Sequence, residues 1–171
     1  MIKAAVIQLR STAQIEQNLE TAGSLIRQAA ADGARFIATP DMTHILQRSP
    51  KRLFAAISEE EQDKGVAYFS AIASELKIDL LIGSVAIKTG EARAANRSFL
   101  FDKSGAITAR YDKIHLFDVT VSRAETWKES NVYDRGEGAV LADIDGAKLG
   151  LSICYDLRFA KLYRHYARSG A

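Results

Sequence analysis

The sequence predicts an α/β fold made of two βα units, followed by strand hairpins and a final helix. Short apolar runs are typical of sheet strands, and two longer segments repeat apolar residues every three or four positions. Turn residues such as Asp-Gly separate the later strands. Because the elements first alternate and then pair, we expect an α/β or mixed sandwich.

The first βα unit occupies the amino-terminal end of the chain. Residues 3–9 form an apolar run that predicts a strand buried on both faces of a sheet. A helix is expected from about Gln14 to Gly33, a residue type that commonly ends helices. Its buried face is predicted to contain Ile15, Leu19, Ala22, Ile26 and Ala29. Residues 35–38 then predict the second strand.

The second unit begins where that strand ends. Pro40 cannot continue a hydrogen-bonded ladder, so it places Asp41 at the carboxyl edge of the sheet, where α/β folds usually hold their chemistry. Residues 59–61 are three glutamates that predict an acidic helix start. The helix should bury Val66, Phe69, Ala73 and Leu76, and residues 78–85 predict the third strand.

The rest of the chain predicts two hairpins. Residues 95–101 and 106–111 flank a DKSG turn. Residues 139–144 and 147–153 flank the strong two-residue turn DG, and the last of these strands leads directly to Cys154. A short helix follows the cysteine.

Composition limits the possible functions. The chain has 171 residues, of which 47% are hydrophobic and 26% charged, which is typical of one globular domain. A net charge of +2 without a basic cluster argues against nucleic acid as a partner. No apolar run reaches membrane-spanning length, and the single cysteine excludes an internal disulfide. We therefore expect a cytoplasmic protein that acts neither in membranes nor on nucleic acids.

Cys154 is the most chemically suggestive residue. At a strand-to-helix turn, its sulfur would leave the core, and the first N–H groups of the helix would favour a thiolate. Lys113 would lower the thiol pKa further, while Asp41 could accept a proton. Each residue also has an ordinary explanation: a buried inert cysteine, a solvated lysine and a helix cap. A redox-sensing thiol would lack a resolving cysteine.

Several segments resemble motifs of the nitrilase (carbon–nitrogen hydrolase) superfamily. Residues 110–118 (RYDKIHLFD) resemble its lysine motif, and residues 151–159 (LSICYDLRF) resemble its cysteine motif. Residues 4–9 (AAVIQL) and 38–41 (ATPD) resemble its first strand and its acid motif. Asn96 and the Glu129 segment also match positions of related amidases. The resemblance runs the whole length of the chain.

The resemblance implies an α-β-β-α sandwich that associates into a homo-oligomer. Carried over by position, Cys154 would be the nucleophile and Lys113 the partner of the oxyanion. Asp41 would occupy the position of the general base, and Glu129 would orient the lysine and the substrate. The backbone N–H of Tyr155 would be the second oxyanion donor.

The implied reaction is hydrolysis of a small non-peptide amide, either an omega-amide or a compound like deaminated glutathione. A cysteine thioester would form with release of ammonia, and water would then hydrolyse it without a metal or cofactor. Arg158 would either bind a substrate carboxylate or form a structural ion pair with Asp156 or a neighbouring residue.

Two departures from the family leave an alternative open. The family acid is glutamate, whereas the chain has Asp41, and misplacement by about 1 Å can cost about 100-fold in rate. His44 would either assist this acid or be a structural histidine. Family members also continue beyond Ala171, so residues 1–171 are expected to form one domain that is incomplete at the C-terminus. The alternative is a catalytically impaired, truncated hydrolase that serves as an interaction module or is a gene fragment.

Overall fold

The computed structural model describes residues 2–122 and 125–171. Its strands are β1 (Ala4–Val6), β2 (Phe36–Ala38), β3 (Asp79–Gly90), β4 (Arg93–Phe101), β5 (Ile107–Asp112), β6 (Asp118–Ser122), β7 (Glu125–Lys128), β8 (Tyr133–Asp134), β9 (Leu141–Ile144) and β10 (Ala147–Gly150). Its helices are α1 (Ile15–Ala31), α2 (Pro50–Ala56), α3 (Lys64–Leu76) and α4 (Ala160–Arg168), with 3₁₀ turns at Glu60–Gln62, Glu129–Asn131 and Cys154–Arg158. Among the described residues, no helix combines the length and apolarity needed to cross a membrane.

The main sheet has the strand order β1-β2-β3-β4-β5, with β8 also paired to β4. The pairs β1–β2, β2–β3 and β4–β8 are parallel, and the pairs β3–β4 and β4–β5 are antiparallel. Two hairpins, β6–β7 and β9–β10, lie outside this sheet. The predicted helices are present, and the two predicted hairpins correspond to β4–β5 and β9–β10. The α/β class is therefore confirmed.

The layers follow an α-β-β-α order. Helices α1 and α3 cover one face of the main sheet and form the largest apolar core with β2, β3 and β4. The β9–β10 hairpin covers the opposite face, where Leu149 and Leu151 pack near Tyr111 of β5. Because successive strand residues face opposite sides, Gly150 faces outwards, against the ring of Tyr166 on α4. The sandwich predicted from the resemblance is confirmed.

Strand β1 differs from its prediction. Val6 is 87% exposed, Ala4 is also exposed, and only the alternate residues Ala5 and Ile7 pack against the core. The prediction of burial on both faces is wrong because only the face with Ala5 and Ile7 packs against the core, whereas the face with Ala4 and Val6 is left uncovered at this outermost strand of the described residues. An apolar run does not distinguish an edge strand from a central one.

Helix α3 also starts later than predicted. The glutamates contribute to the 3₁₀ turn Glu60–Gln62, and the α-helix begins at Lys64. Asp63 caps it, since its Oδ1 accepts a hydrogen bond from the backbone N–H of Val66 at 2.9 Å. An acidic helix start at residues 59–61 is therefore wrong, because the side chain that satisfies the first N–H groups lies further along.

A bulge in β3 holds the loop that carries Asp41. The β3–β4 register shifts between Ile82 and Val85, and the loop after β2 wraps around this point. A Cβ atom at Gly83 would lie 2.2 Å from the carbonyl oxygen of Thr39 and 2.5 Å from that of Pro40. Glycine therefore allows a close approach that positions the following acid.

We expect Gly83→Ala to destabilise the fold by about 1–3 kcal/mol, because the added methyl group must displace backbone rather than a flexible side chain. Urea unfolding measures this change in the free energy of unfolding. Gly138→Ala is the matched control, since nothing lies within 4 Å of a Cβ atom there. Equal stability of the two variants would contradict the close-approach argument.

Candidate active site

Asp41 lies beside β3 and β4 and is held by two side chains. Its Oδ1 accepts a hydrogen bond from the Ser84 hydroxyl at 2.5 Å and another from the Asn96 amide at 3.2 Å. The Ser84 hydroxyl oxygen in turn accepts the backbone N–H of Met42 at 2.8 Å. The carboxylate of Asp41 is therefore held by Ser84 in the β3 bulge and by Asn96 in β4.

Lys113 follows the end of β5 and forms a buried ion pair with Glu129. Its side chain is 2% exposed, and its ammonium donates to Oε1 and Oε2 of Glu129 at 3.1 and 2.8 Å. The backbone N–H of Phe117 also donates to this carboxylate, at 2.6 Å. Asn96 contacts Glu129 at 3.5 Å as well as Asp41, so one buried amide connects the two acids.

Cys154 stands at the start of the 3₁₀ turn Cys154–Arg158, and three residues separate it from Gly150, where β10 ends. Its backbone has a φ of 49°, in the left-handed region that non-glycine residues rarely adopt. The residue is exposed, and its thiol interacts electrostatically with the carboxyl group of Asp41. The thiol is thus presented at a sharp turn and meets the acid that approaches from the other β layer.

The surroundings of Cys154 raise the pKa of its thiol. Removal of water by neighbouring atoms is the largest cause, and the positive charge of Lys113 opposes it. The carboxylates of Asp41 and Glu129 add to the increase. Lys113 does lower the pKa of the thiol, as expected, but desolvation and the charges of Asp41 and Glu129 outweigh it, so the net shift of the pKa is upward and the expected thiolate is not favoured. At neutral pH the site therefore holds a protonated thiol beside the side chain of Asp41.

One cavity of about 370 Å³ is lined by Asp41, Lys113, Glu129 and Cys154, and its volume is in the range of small-ligand sites. Lys113 is its most buried charged residue, Asp41 and Glu129 are half-buried, and the exposed lining residues form its mouth. In the described part of the chain, no cluster of three His, Cys, Asp or Glu side chains could hold a metal ion. The cavity combines a thiol, an acid and a buried ammonium, a set suited to attack on a polarised carbonyl.

Comparison with known proteins identifies the family. The family model described as carbon-nitrogen hydrolase matches residues 3–171. The chain belongs to the carbon–nitrogen hydrolase family. It is 32% identical to the omega-amidase NIT2 of Homo sapiens, with 98% of this chain and 60% of that protein covered. It is 33% identical to the deaminated glutathione amidase of Synechocystis sp. (strain PCC 6803 / GT-S), with 98% and 62% covered.

Solved structures agree with this family assignment. The NitFhit protein of C. elegans has a TM-score of 0.88 at 25% identity, with all of this chain and 43% of that chain covered. An amidase from Nesterenkonia sp. has a TM-score of 0.84 at 24% identity, with 99% and 62% covered, and shares the fold. The chain thus spans between 43% and 62% of the length of these four proteins.

In this member of the carbon–nitrogen hydrolase family, Asp156 connects the loop after β5 that carries Lys113 (the lysine loop) to the 3₁₀ turn Cys154–Arg158. Its fully buried carboxylate accepts the Tyr111 hydroxyl at 2.6 Å and the backbone N–H groups of His115 and Ile153, each at 3.0 Å. The Nδ1 atom of His115 also lies 2.6 Å from this carboxylate. The pKa of Tyr111 is raised, first by burial and then by this carboxylate. Sequence reasoning gave Asp156 no role except as a partner of Arg158.

The structure does not bring every predicted residue into the cavity. Arg158 is exposed, does not line the cavity and forms no ion pair with Asp156, whose partners are Tyr111 and His115. Tyr155 is the second residue of its 3₁₀ turn, where backbone N–H groups lack partners within the helix. Its ring packs edge-on against Phe117, at 5.1 Å between centroids.

His44 is a core histidine rather than an assistant to Asp41. It is fully buried, and its Nε2 lies 3.6 Å from the Asp63 carboxylate at the start of α3. Of the two interpretations of His44, the geometry therefore favours a structural histidine.

Sequence reasoning also missed two polar residues of the site. Ser84 interrupts the apolar run of β3, and this interruption was the only available signal of its contact with Asp41. Tyr133 lines the cavity, and burial, followed by the charges of Glu129 and Asp41, raises its pKa. Nothing in the local sequence around Tyr133 indicated this position.

We expect the Cys154 thiol to react with iodoacetamide at a midpoint pH above that of a free cysteine, because desolvation raises its pKa. Asp41→Asn should move this midpoint to lower pH, since it removes a negative charge that opposes ionisation. Alkylation rates across pH measure the shift, with Asp32→Asn at an exposed site as the control. A midpoint that rises in Asp41→Asn would contradict this electrostatic account.

Proposed function

We propose that this carbon–nitrogen hydrolase domain, residues 1–171, hydrolyses a small omega-amide to a carboxylate and ammonia. The observation that carries the proposal is that Cys154, Asp41, Lys113 and Glu129 line the same cavity. The names of the omega-amidase and deaminated-glutathione amidase relatives support the substrate class. We further propose that the protein acts in the cytoplasm as a homo-oligomer.

In the first half of the reaction, Asp41 accepts the thiol proton while the Cys154 sulfur attacks the amide carbon. Negative charge develops on the carbonyl oxygen, which the Lys113 ammonium and the backbone N–H of Tyr155 stabilise. The tetrahedral intermediate collapses as Asp41 returns the proton to the leaving nitrogen. The C–N bond breaks, ammonia departs and the acyl group remains on the sulfur as a thioester.

In the second half, a water molecule attacks the thioester carbon and gives a proton to Asp41. The C–S bond breaks, the carboxylic acid leaves, and the thiolate regains its proton from Asp41. Glu129 keeps the ammonium of Lys113 in place throughout, supported by its contacts with Phe117 and Asn96. The raised thiol pKa fits this cycle, because the proton moves only when the substrate is attacked.

We expect the chain to release ammonia from succinamate, and Cys154→Ala to abolish this release. Lys113→Ala should lower kcat by roughly 100- to 1,000-fold, because one oxyanion donor is worth about 2.7–4 kcal/mol. A coupled ammonia assay measures the rates, and mass spectrometry of the quenched reaction tests for an acyl adduct on Cys154. A folded chain that gives neither ammonia nor adduct across small amides would refute the proposal.

Replacing the shorter acid tests the impaired-hydrolase alternative. We expect Asp41→Glu to lower kcat, because Asp41 already hydrogen-bonds with Ser84 and Asn96, and a longer side chain would disturb these contacts. A comparison of kcat between the unmodified chain and Asp41→Glu distinguishes an active hydrolase from an impaired one. An increase of tenfold or more would instead identify the short acid as a defect and favour a weakened hydrolase.

A further inference from the structure

The charges around the cavity are unevenly distributed. Its inner part holds the Lys113–Glu129 ion pair, whose charges cancel, and the carboxylate of Asp41. Its exposed lining residues include Arg48 and Lys128, both positively charged. An anionic group would therefore be repelled from the inner part and attracted to the mouth.

Arg48 is the cation at the mouth that is available to a ligand. Its guanidinium carbon lies 5.3 Å from the ring centroid of Trp127, and no carboxylate of the described residues pairs with it. Lys128, in contrast, is opposite Asp118 in the β6–β7 register and interacts with its charge. Stacking on Trp127 holds the guanidinium in place and leaves its N–H groups free to form hydrogen bonds.

The wall between the two charged regions is mainly apolar. It contains Leu46, Leu53, Phe117, Trp127 and Val132. A ligand that fits the whole cavity would therefore have an uncharged polar group at the inner end, a short apolar spacer and an anionic group at the outer end.

We propose that Arg48 is a specificity-determining residue that binds the carboxylate at the far end of an omega-amide substrate. This inference rests on the proposed amidase function, since the amide group must reach Cys154 while the carboxylate stays at the mouth. A guanidinium can donate two parallel hydrogen bonds to a carboxylate, which fixes the orientation as well as the affinity. The same contact keeps the negative charge away from Asp41.

The test compares two amides of similar size. Succinamate carries the carboxylate, and 4-oxopentanamide has a neutral methyl ketone in its place. Arg48→Met should raise KM for succinamate by about 10- to 100-fold, the loss expected for a hydrogen bond to a charged group. It should leave KM for the neutral amide and kcat for both almost unchanged, and Arg48→Lys should recover part of the lost affinity.

Lys51→Met is the matched control, because Lys51 is an exposed cation in α2 that does not line the cavity. It should leave the ratio of the two KM values unchanged. Equal effects of Arg48→Met on both amides would overturn the role of Arg48 and leave the amidase proposal intact.

A binding measurement separates the two proposals if turnover fails. Calorimetric titration of succinamate into Cys154→Ala, with and without Arg48→Met, needs no hydrolysis. Binding of succinamate that weakens at least tenfold on loss of Arg48 supports the role of Arg48, even when no amide is hydrolysed. The absence of hydrolysis would then refute only the proposed amidase function. Binding that is absent, or equal in the two variants, overturns the inference.

Discussion

The burial of one positive charge constrains the whole site. The Lys113 ammonium is almost completely enclosed, and such a charge is tolerated only with a well-bonded partner. Glu129 supplies that partner, and Phe117 and Asn96 hold Glu129. Removing one member of a buried pair typically costs about 3–5 kcal/mol. The lysine loop, the β7 end and β4 must therefore keep their relative positions for the fold to persist.

The topology explains how distant segments meet. Asp41 follows β2 and contacts the β3 bulge through Ser84, while Asn96 lies on the neighbouring strand β4. Lys113 follows β5, which pairs with β4, so these groups share one region of a single sheet. Cys154 comes from the second β layer and is tied to the first by the buried carboxylate of Asp156. The cavity is thus assembled at the junction of the two β layers.

Sequence patterns predicted the elements better than the contacts between them. Helical spacing and turn residues predicted the helices and hairpins, because burial of one face of an element makes apolar residues recur at a regular spacing in the sequence. The resemblance selected Cys154 and Lys113, which the structure brings into one cavity. Arg158, which was expected either to bind a substrate carboxylate or to form an ion pair, does not line this cavity, because closeness to a cysteine in sequence does not fix the position of a side chain in a tight turn. Asp156 and Arg48 act through partners more than 40 residues away, and no local pattern records such partners.

The left-handed backbone of Cys154 has an evolutionary implication. This conformation costs a residue with a Cβ atom about 1–2 kcal/mol, a noticeable share of the roughly 5–15 kcal/mol that keeps a typical domain folded. Selection for thermodynamic robustness alone would favour glycine or asparagine at this turn. The cysteine at this turn therefore lowers the stability of the fold in exchange for an exposed thiol, so durability and chemistry have opposite requirements at this position.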